Sequence, residues 1–451
     1  MHIRENAPKV RNSGVHREIA VEDTLARVTP YLRDVGITRV ANITWLDRVG
    51  IPVYNAIVPR SRDLISVYNG KGVRPVDAKT SAIMEAIERF SAWLPRAPAV
   101  VSSYENLVRR GRRVMHPGEY NMKLTKYYRD DRPISWLQGY DLIGEEPVLV
   151  PMHGAAYIDR YHEIPCYDIV STNGLASGNT LEEAVLHALC ELIERDAMTT
   201  AELVTSHLTE LLRSDLITEH TPPAVLDELK SRHPHFDMNS LPPKASELVA
   251  RFAAADIEVR MADITSDIGI PSVWCATADT FSIGEGQQGH GGFGTHPDVE
   301  VAMMRALTEC AQSRCVDIQA MREDISMPDE DVPAHMKHIQ RAKTINKATW
   351  WWTPTDTRRK ASDLPNLSSD DVAADLRLVL DRLRSCGLDQ AIAIDLSPPE
   401  IPAKVARVIV PGMESWAVDH SKLGPRGTRV WNETIRQLAR PAAAAGTKAG
   451  N

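Results

Sequence analysis

Three stretches of this 451-residue chain repeat one design, a glycine-bearing polar segment that runs into an amphipathic helix carrying Glu-x-x-Glu-Arg or a close relative. They are GKGVRPVDAKTSAIMEAIER (Gly70 to Arg89), NGLASGNTLEEAVLHALCELIER (Asn173 to Arg195) and GGFGTHPDVEVAMMRALTECAQSR (Gly291 to Arg314). The glycine segments read as polar loops and the acid-bearing stretches as helices. Glu85 and Glu88, and again Glu191 and Glu194, stand three residues apart. At about 100° per residue each pair projects from one side of its helix. Blocks spread this widely along the chain must fold together to build one site, which implies one large domain.

Several acids held on rigid elements suit magnesium, which takes hard oxygen ligands in octahedral geometry and shares them with substrate phosphates. Acid pairs beside the cations Lys71, Arg195 and Arg305 therefore point to a nucleotide site. A plainer explanation exists for any one helix. Glu85 precedes Arg89 by four residues and Glu191 precedes Arg195 by four, the favourable order for a solvated helical ion pair worth roughly 0.2–0.5 kcal/mol. Three copies weigh against surface pairs alone. Glu183 has a second reading, because Thr180-Leu-Glu-Glu183 is a capping box in which Thr180 closes the helix start and Glu183 reaches back to it.

SAIMEAIER (Ser81 to Arg89), NGLASGNTLEEAVLHALCELIERDA (Asn173 to Ala197) and HPDVEVAMMRALTECAQSR (His296 to Arg314) resemble, in order, the three sequence blocks of the YcaO family. AIAIDLSPPEIPAKVARVIVPGMES (Ala391 to Ser415) is similar to that family's late strands and their Val-Pro-Gly-Leu-Glu-like ending, here Val410 to Glu414. The resemblance implies an unusual ATP-binding fold in which ATP phosphorylates a peptide backbone amide oxygen so that a nucleophile can replace it. It implies ATP contacts at Lys71, Ser81, Asn179, Glu183, Arg195, Arg305 and Glu309. It implies Mg²⁺ ligands at Glu85, Glu88, Glu191 and Glu194. Lys79 and Gln312 match more weakly. The chemistry needs this mixture, since a transferring phosphoryl group carries charge that cations must neutralise while positioning does the rest.

Composition sets outer bounds. A hydrophobic share of 43% and a charged share of 25% are ordinary for a globular protein. A net charge of -8 argues against nucleic-acid binding, so ATP has to be met by a local cluster of cations and metal. Six scattered cysteines without a close pair read as buried reduced thiols, not as zinc ligands or disulfides. The charged start MHIRENAPKV lacks an apolar signal region and no apolar run is long enough to span a bilayer; the expectation is a cytoplasmic protein.

The expected fold is α/β (α+β mixed), with mixed sheets and flanking helices. Residues 1–40 read as an N-terminal helical segment, 41–435 as a single catalytic domain and 436–451 as a disordered tail. Residues 1–18 read as loosely held. VEDTLARVTPYLRDVG reads as an amphipathic helix interrupted or ended near Pro30, ITRVANITWL and IPVYNAIVP as a hairpin, PVLVPMHGAAYI as a strand pair, and IEVRMADIT and PSVWCATADT as two more strands. Gly284-x-Gly286-x-x-Gly289 meets the letter of a dinucleotide fingerprint, but Pro297 and further glycines delay the helix, so a flexible loop is the better reading. Lys71 lacks the frame of an ordinary P-loop. His290 and His296 read as surface or capping residues, and Trp350 to Trp352 as core or a subunit contact.

The resemblance also sets expectations for the reaction. The substrate is a ribosomally made precursor peptide, and the product an azoline formed by cyclodehydration in natural-product maturation. Thioamide formation with a TfuA-type partner, or macrocyclic amidine formation, are the alternatives within the family. A nucleotide-binding scaffold for a partner enzyme, or a kinase or ligase of a small molecule, are alternatives outside it. No leader-capturing domain is evident before residue 40, which suggests a stand-alone enzyme, and the C-terminus lacks a Pro-x-Pro-x-Pro ending. A homodimer would be in keeping with the family.

Overall fold

The computed structural model describes residues 3–10, 16–63, 65–157, 165–168, 170–213, 227–229, 231–279, 289–320, 358–416 and 422–438. VEDTLARV forms α1 (Val21–Val28), which passes into a 3-10 turn where Pro30 has no N–H to continue the helix. The β-branched runs after it form the expected hairpin, β1 (Arg39–Asn42) antiparallel to β2 (Val53–Ile57), and β2 pairs onward with β3 (Val67–Lys71).

A second sheet holds β4 (Val100–Ser102), β5 (Ile134–Asp141), β6 (Glu146–Pro151) and β7 (Leu175–Gly178). A third runs in the order β11-β10-β9-β8-β12, from β8 (His235–Phe236), β9 (Ile257–Asp263), β10 (Ser272–Asp279), β11 (Gly289–Thr295) and β12 (Arg358–Arg359). The late strands β13 (Ile392–Asp395) and β14 (Lys404–Ile409) return to the second sheet, between β5 and β7. Among the strands of the described residues, β12 and β8 alone pair with each other in parallel, and isolated parallel bridges join Val114 to Leu149 and His153 to Ala156. The mixed sheets with flanking helices are those expected, in the α+β form. One detail differs. PVLVPMHGAAYI supplies a single strand, β6, which pairs with the upstream β5, while Met152–Ala155 turn away with Gly154 at φ 119.

The three repeated blocks give α2 (Pro75–Trp93), α3 (Leu181–Glu202) and α4 (Val299–Ala320). Their glycine segments are strands, β3, β7 and β11, not loops. A Cβ at Gly70 would stand inside hard contact with Ala78 O and Ala82 N of α2, and one at Gly294 with Ala302 O and Ala306 N of α4. Glycine is there so that a helix backbone can lie directly on a strand. Each block helix also anchors a core of its own: Ile83 and Ile87 pack with Trp136 and Ile392, Val185 and Leu189 with Leu376 and Val379, and Met303 and Leu307 with Val273 and Phe252.

The described part of the polar N-terminus, residues 3–10 and 16–18, is not loose. Ala7 is fully buried and its N–H donates to Asp371 Oδ2 at 2.6 Å, while Lys9 pairs with Asp375 at 2.5 Å. Arg4 pairs with Glu182 of α3 at 2.7 Å. Charge that reads as solvated in sequence is consumed by partners far along the chain. All six cysteines are free, five of them buried. Among the described residues no helix is long and apolar enough to cross a membrane. Gly284, Gly286, Trp350 to Trp352 and the residues beyond 438 lie outside the described residues.

Candidate nucleotide and metal site

The helices α2, α3 and α4 converge on a cavity of about 560 Å³. They present side chains to it in one register, steps of four, four and three residues. On α2 these are Asp77, Ser81, Glu85 and Glu88; on α3, Glu183, His187, Glu191 and Glu194; on α4, Val301, Arg305, Glu309 and Gln312. That spacing keeps each row on one helical stripe. The third row departs at its end, with Gln312-Ser313 where the others carry Glu88-Arg89 and Glu194-Arg195. The remaining candidates, Lys71 on β3 and Asn179 and Arg195 beside the α3 row, also line the cavity; Lys79 does not.

The acids are not solvated surface pairs. Glu88 and Glu194 are buried, at 9% and 2% exposure. Arg195 stands 3.9 Å from Glu191 and 3.5 Å from Glu194, and Arg89 stands 3.7 Å from Glu85 and 4.0 Å from Glu88. These separations are too long for strong hydrogen bonds, so the carboxylates keep oxygen valence to spare. Burial raises the pKa of Glu85, Glu191 and Glu194 above the ordinary carboxylate value, and that of Glu88 well above it, despite the nearby arginines. Glu309 goes the other way. Burial would raise it, but Lys71, which is ion-paired with it, and Arg195 hold it below the ordinary value.

The donor set fits magnesium. Glu194 Oε2 is buried with no hydrogen-bond partner, an orphaned acceptor of the kind a bound cation satisfies. Among the described residues no three His, Cys, Asp or Glu side chains converge closely enough to cage a metal unaided. Mg²⁺ takes one or two carboxylates and completes its shell with water and substrate phosphate.

Arginines line the cavity as well, among them Arg305 and Arg17, the latter paired with Glu183 at 3.4 Å. His187 lies between two guanidinium groups, Nδ1 3.4 Å from Arg17 Nη2 and Nε2 3.3 Å from Arg305 Nη1. Burial, then Arg305, Arg17 and Lys71, push its pKa well below the ordinary value, which favours the neutral ring. A neutral imidazole has one acceptor nitrogen and cannot serve two arginines. Arg305 Nε is likewise buried without a partner. This surplus of donors suits phosphate oxygens.

Glu183 holds the entry to α3. Its carboxylate accepts from the Glu18 N–H at 2.7 Å and from Asn179 N and Nδ2 at 2.8 and 3.0 Å. Thr180 caps Glu183 N at 3.3 Å, so one half of the capping box forms; the carboxylate passes Thr180 and takes Asn179 instead. Asn179 Oδ1 accepts from Thr24 Oγ1 at 2.9 Å. His296 lines the cavity and its Nδ1 accepts from Asp298 N at 2.9 Å, a capping role.

Sequence reasoning missed Arg17, Thr24 and His187. A lone arginine or threonine in a polar segment carries no periodic signal. His187 does, since it falls on the four-residue step between Glu183 and Glu191.

A cavity walled by three acid-bearing helices and lined with arginines defines a nucleotide- and metal-binding fold. The chain belongs to the YcaO family, whose sequence model, that of an ATP- and Mg²⁺-binding YcaO cyclodehydratase, matches residues 69–414. It is 33% identical over 416 residues to an uncharacterized protein of Methanothermobacter thermautotrophicus, covering 90% of this chain and 96% of the relative. It is 32% identical over 402 residues to an uncharacterized protein in the tfuA 3' region of Rhizobium leguminosarum bv. trifolii, covering 88% of each. Among solved structures, the YcaO protein of Methanopyrus kandleri bound with AMPPCP and Mg²⁺ shares the fold at TM-score 0.64 and 24% identity, over 93% of this chain and 98% of that one. A heterocyclase in complex with substrate and cofactor shares it at TM-score 0.70 and 22% identity, over 91% of this chain. This chain spans about half of that protein, 54%.

Proposed function

We propose that this chain is an enzyme that uses ATP and Mg²⁺ to phosphorylate a backbone amide oxygen of a ribosomally made peptide, activating that oxygen for replacement. The observation that carries this reading is the cavity itself, where the buried Glu194 Oε2 lacks a hydrogen-bond donor and the buried Arg305 Nε lacks an acceptor. Glu85, Glu88, Glu191 and Glu194 would hold Mg²⁺, which when bound supplies neutralising charge to the ATP phosphates. Lys71, Arg17, Arg195 and Arg305 meet phosphate oxygens. Ser81 and Asn179 add neutral contacts, with Asn179 fixed by Glu183 and Thr24. Glu309 holds Lys71 in place until phosphate arrives.

In the reaction the amide oxygen takes the γ-phosphoryl group as its bond to ADP breaks. Before or after that transfer a nucleophile adds to the amide carbon and gives up its proton; the C–O bond then breaks to release phosphate, and for an azoline the amide N–H proton is lost as the C=N bond forms. With a side-chain hydroxyl or thiol as nucleophile the product is an azoline, the leading reading. A specific observation favours a second one, thioamide formation with a TfuA-type partner: a relative of nearly equal length lies in a tfuA 3' region. An amine nucleophile would give a macrocyclic amidine.

The test is mass spectrometry of candidate precursor peptides incubated with the protein, ATP and Mg²⁺, with and without sulfide and a TfuA-type or leader-binding partner. Loss of one water with phosphate release supports cyclodehydration, and exchange of oxygen for sulfur supports the thioamide. Nucleotide binding without phosphate release under every condition would favour a scaffold. Phosphorylation of a small metabolite with no peptide change would favour a kinase.

A further inference from the structure

A second buried charge cluster lies behind α3, on the side away from the cavity. Arg195 lines the cavity, while Asp196, about 100° further round the helix, is fully buried and does not. The Asp196 carboxylate accepts from Arg426 Nε and Nη2 at 2.9 Å each, and from the Glu414 N–H at 3.1 Å. Arg426 is 6% exposed and lies in the first turn of α5 (Pro425–Leu438). Glu414 is 1% exposed and accepts from Gly424 N at 2.9 Å, Gly427 N at 2.7 Å and Asn121 Nδ2 at 3.1 Å. Its carboxylate therefore sits at the start of α5, where helical N–H groups lack partners within the helix and negative charge is favoured.

The late signature segment, the C-terminal helix and the metal-facing helix thus meet in one interlock. Two of its three buried charges, Asp196 and Glu414, take their main donors from the start of α5. Further along, α5 packs Val430, Trp431 and Ile435 on Val204, Leu208 and Leu212, where the α3 helix continues through a π turn at Leu203–His207. If α5 leaves, Asp196 and Glu414 become buried carboxylates short of partners, a state that drives local rearrangement or water entry. Asp196 is one residue from Arg195 and two from Glu194. Any shift that relieves it moves the metal-facing turn, and metal and phosphate contacts do not tolerate ångström-scale displacement.

We propose that Asp196 and Arg426 are positioning residues that couple docking of α5 to the nucleotide- and metal-facing turn of α3, so that Mg²⁺·nucleotide binding and C-terminal helix docking reinforce each other. The coupling rests on the nucleotide reading of the cavity, and it is reciprocal by thermodynamic necessity.

The test combines hydrogen–deuterium exchange on the full chain, with and without Mg²⁺·AMPPCP, and titration calorimetry of variants below their melting temperatures. Saturating Mg²⁺·AMPPCP is expected to slow exchange in residues 425–438, which do not line the cavity, by at least about fivefold. Arg426→Gln is expected to weaken Mg²⁺·AMPPCP binding by about the same factor, with partial recovery in Arg426→Lys. Asp267→Asn, which removes the exposed second partner of Arg426, should give a smaller loss. Arg429→Gln, which removes an exposed ion pair to that same Asp267, should bind like the parent. Unchanged exchange in residues 425–438 when the parent binds, or parent affinity in a folded Arg426→Gln, overturns the coupling and leaves a structural interlock. If Arg426→Gln does not fold, the exchange result on the parent and the Asp267→Asn affinity decide. Failure of the parent itself to bind Mg²⁺·AMPPCP overturns the nucleotide reading, and the coupling with it.

Discussion

Lys71, on the strand that opens the first block, is ion-paired with Glu309 on the helix of the third, across 238 residues of chain. The pair closes one side of the cavity and keeps the ammonium over it. A charge-assisted hydrogen bond is worth about 1.5–3 kcal/mol, so Lys71→Met is expected to weaken Mg²⁺·AMPPCP by roughly ten- to a hundredfold. Calorimetry measures it. Parent affinity would remove Lys71 from the phosphate contacts.

Glu194→Gln separates binding from folding. Burial raises the pKa of Glu194, which means that the folded protein disfavours its charged form. At neutral pH the neutral amide should relieve that cost, so the melting temperature of the metal-free variant is expected to hold or rise by a few degrees. The amide cannot replace a carboxylate ligand, so nucleotide binding should lose its dependence on Mg²⁺ and turnover should fall to background. Thermal scans with and without Mg²⁺, beside calorimetry, report both. A destabilised variant that still needs Mg²⁺ would contradict the assignment.

Much of the site was legible because helical period is a local property. Glu85, Glu88, Glu191 and Glu194 fall on their stripes by spacing alone, and the four-four-three register carries Arg305 and Glu309 with them. The glycine segments were misread because glycine disfavours strands in general, whereas here its missing Cβ is what lets α2 and α4 seat on β3 and β11. The N-terminal segment was misread for another reason. Arg4 meets Glu182 across 178 residues and Ala7 meets Asp371 across 364, and no pattern along the chain announces a partner so distant. The same gap hid Arg17, whose neighbours Glu183 and His187 lie 166 and 170 residues away.

His187 predicts an acid limit on stability. Its pKa in the folded protein lies well below the ordinary 6.5, by burial first and then by Arg305 and Arg17. Below that ordinary value the unfolded chain takes up a proton that the folded protein refuses, so stability should decline as pH falls through it. The melting temperature of the metal-free protein is expected to drop from about pH 7 to about pH 5.5, and His187→Gln should flatten part of that slope. An unchanged slope in the variant would assign the acid sensitivity to other groups.

Two glycines of one strand separate close approach from ordinary glycine flexibility. A Cβ at Gly294 would meet the α4 backbone at Ala302 O and, at 2.8 Å, at Ala306 N. At Gly291 the nearest atoms are Trp274 Nε1 at 3.7 Å and Cys275 O at 3.8 Å, ordinary contact distances. Gly294→Ala must push the helix off the strand, and backbone cannot yield as a flexible side chain does. Its cost is expected to reach or exceed the about 1–3 kcal/mol typical of overpacking, with weaker Mg²⁺·AMPPCP binding because Arg305 and Glu309 ride on the displaced helix. Gly291→Ala is expected to stay within about 0.5 kcal/mol of the parent. Denaturant unfolding of both variants measures the difference, and equal stabilities would mean that α4 does not rest on β11 through the missing Cβ.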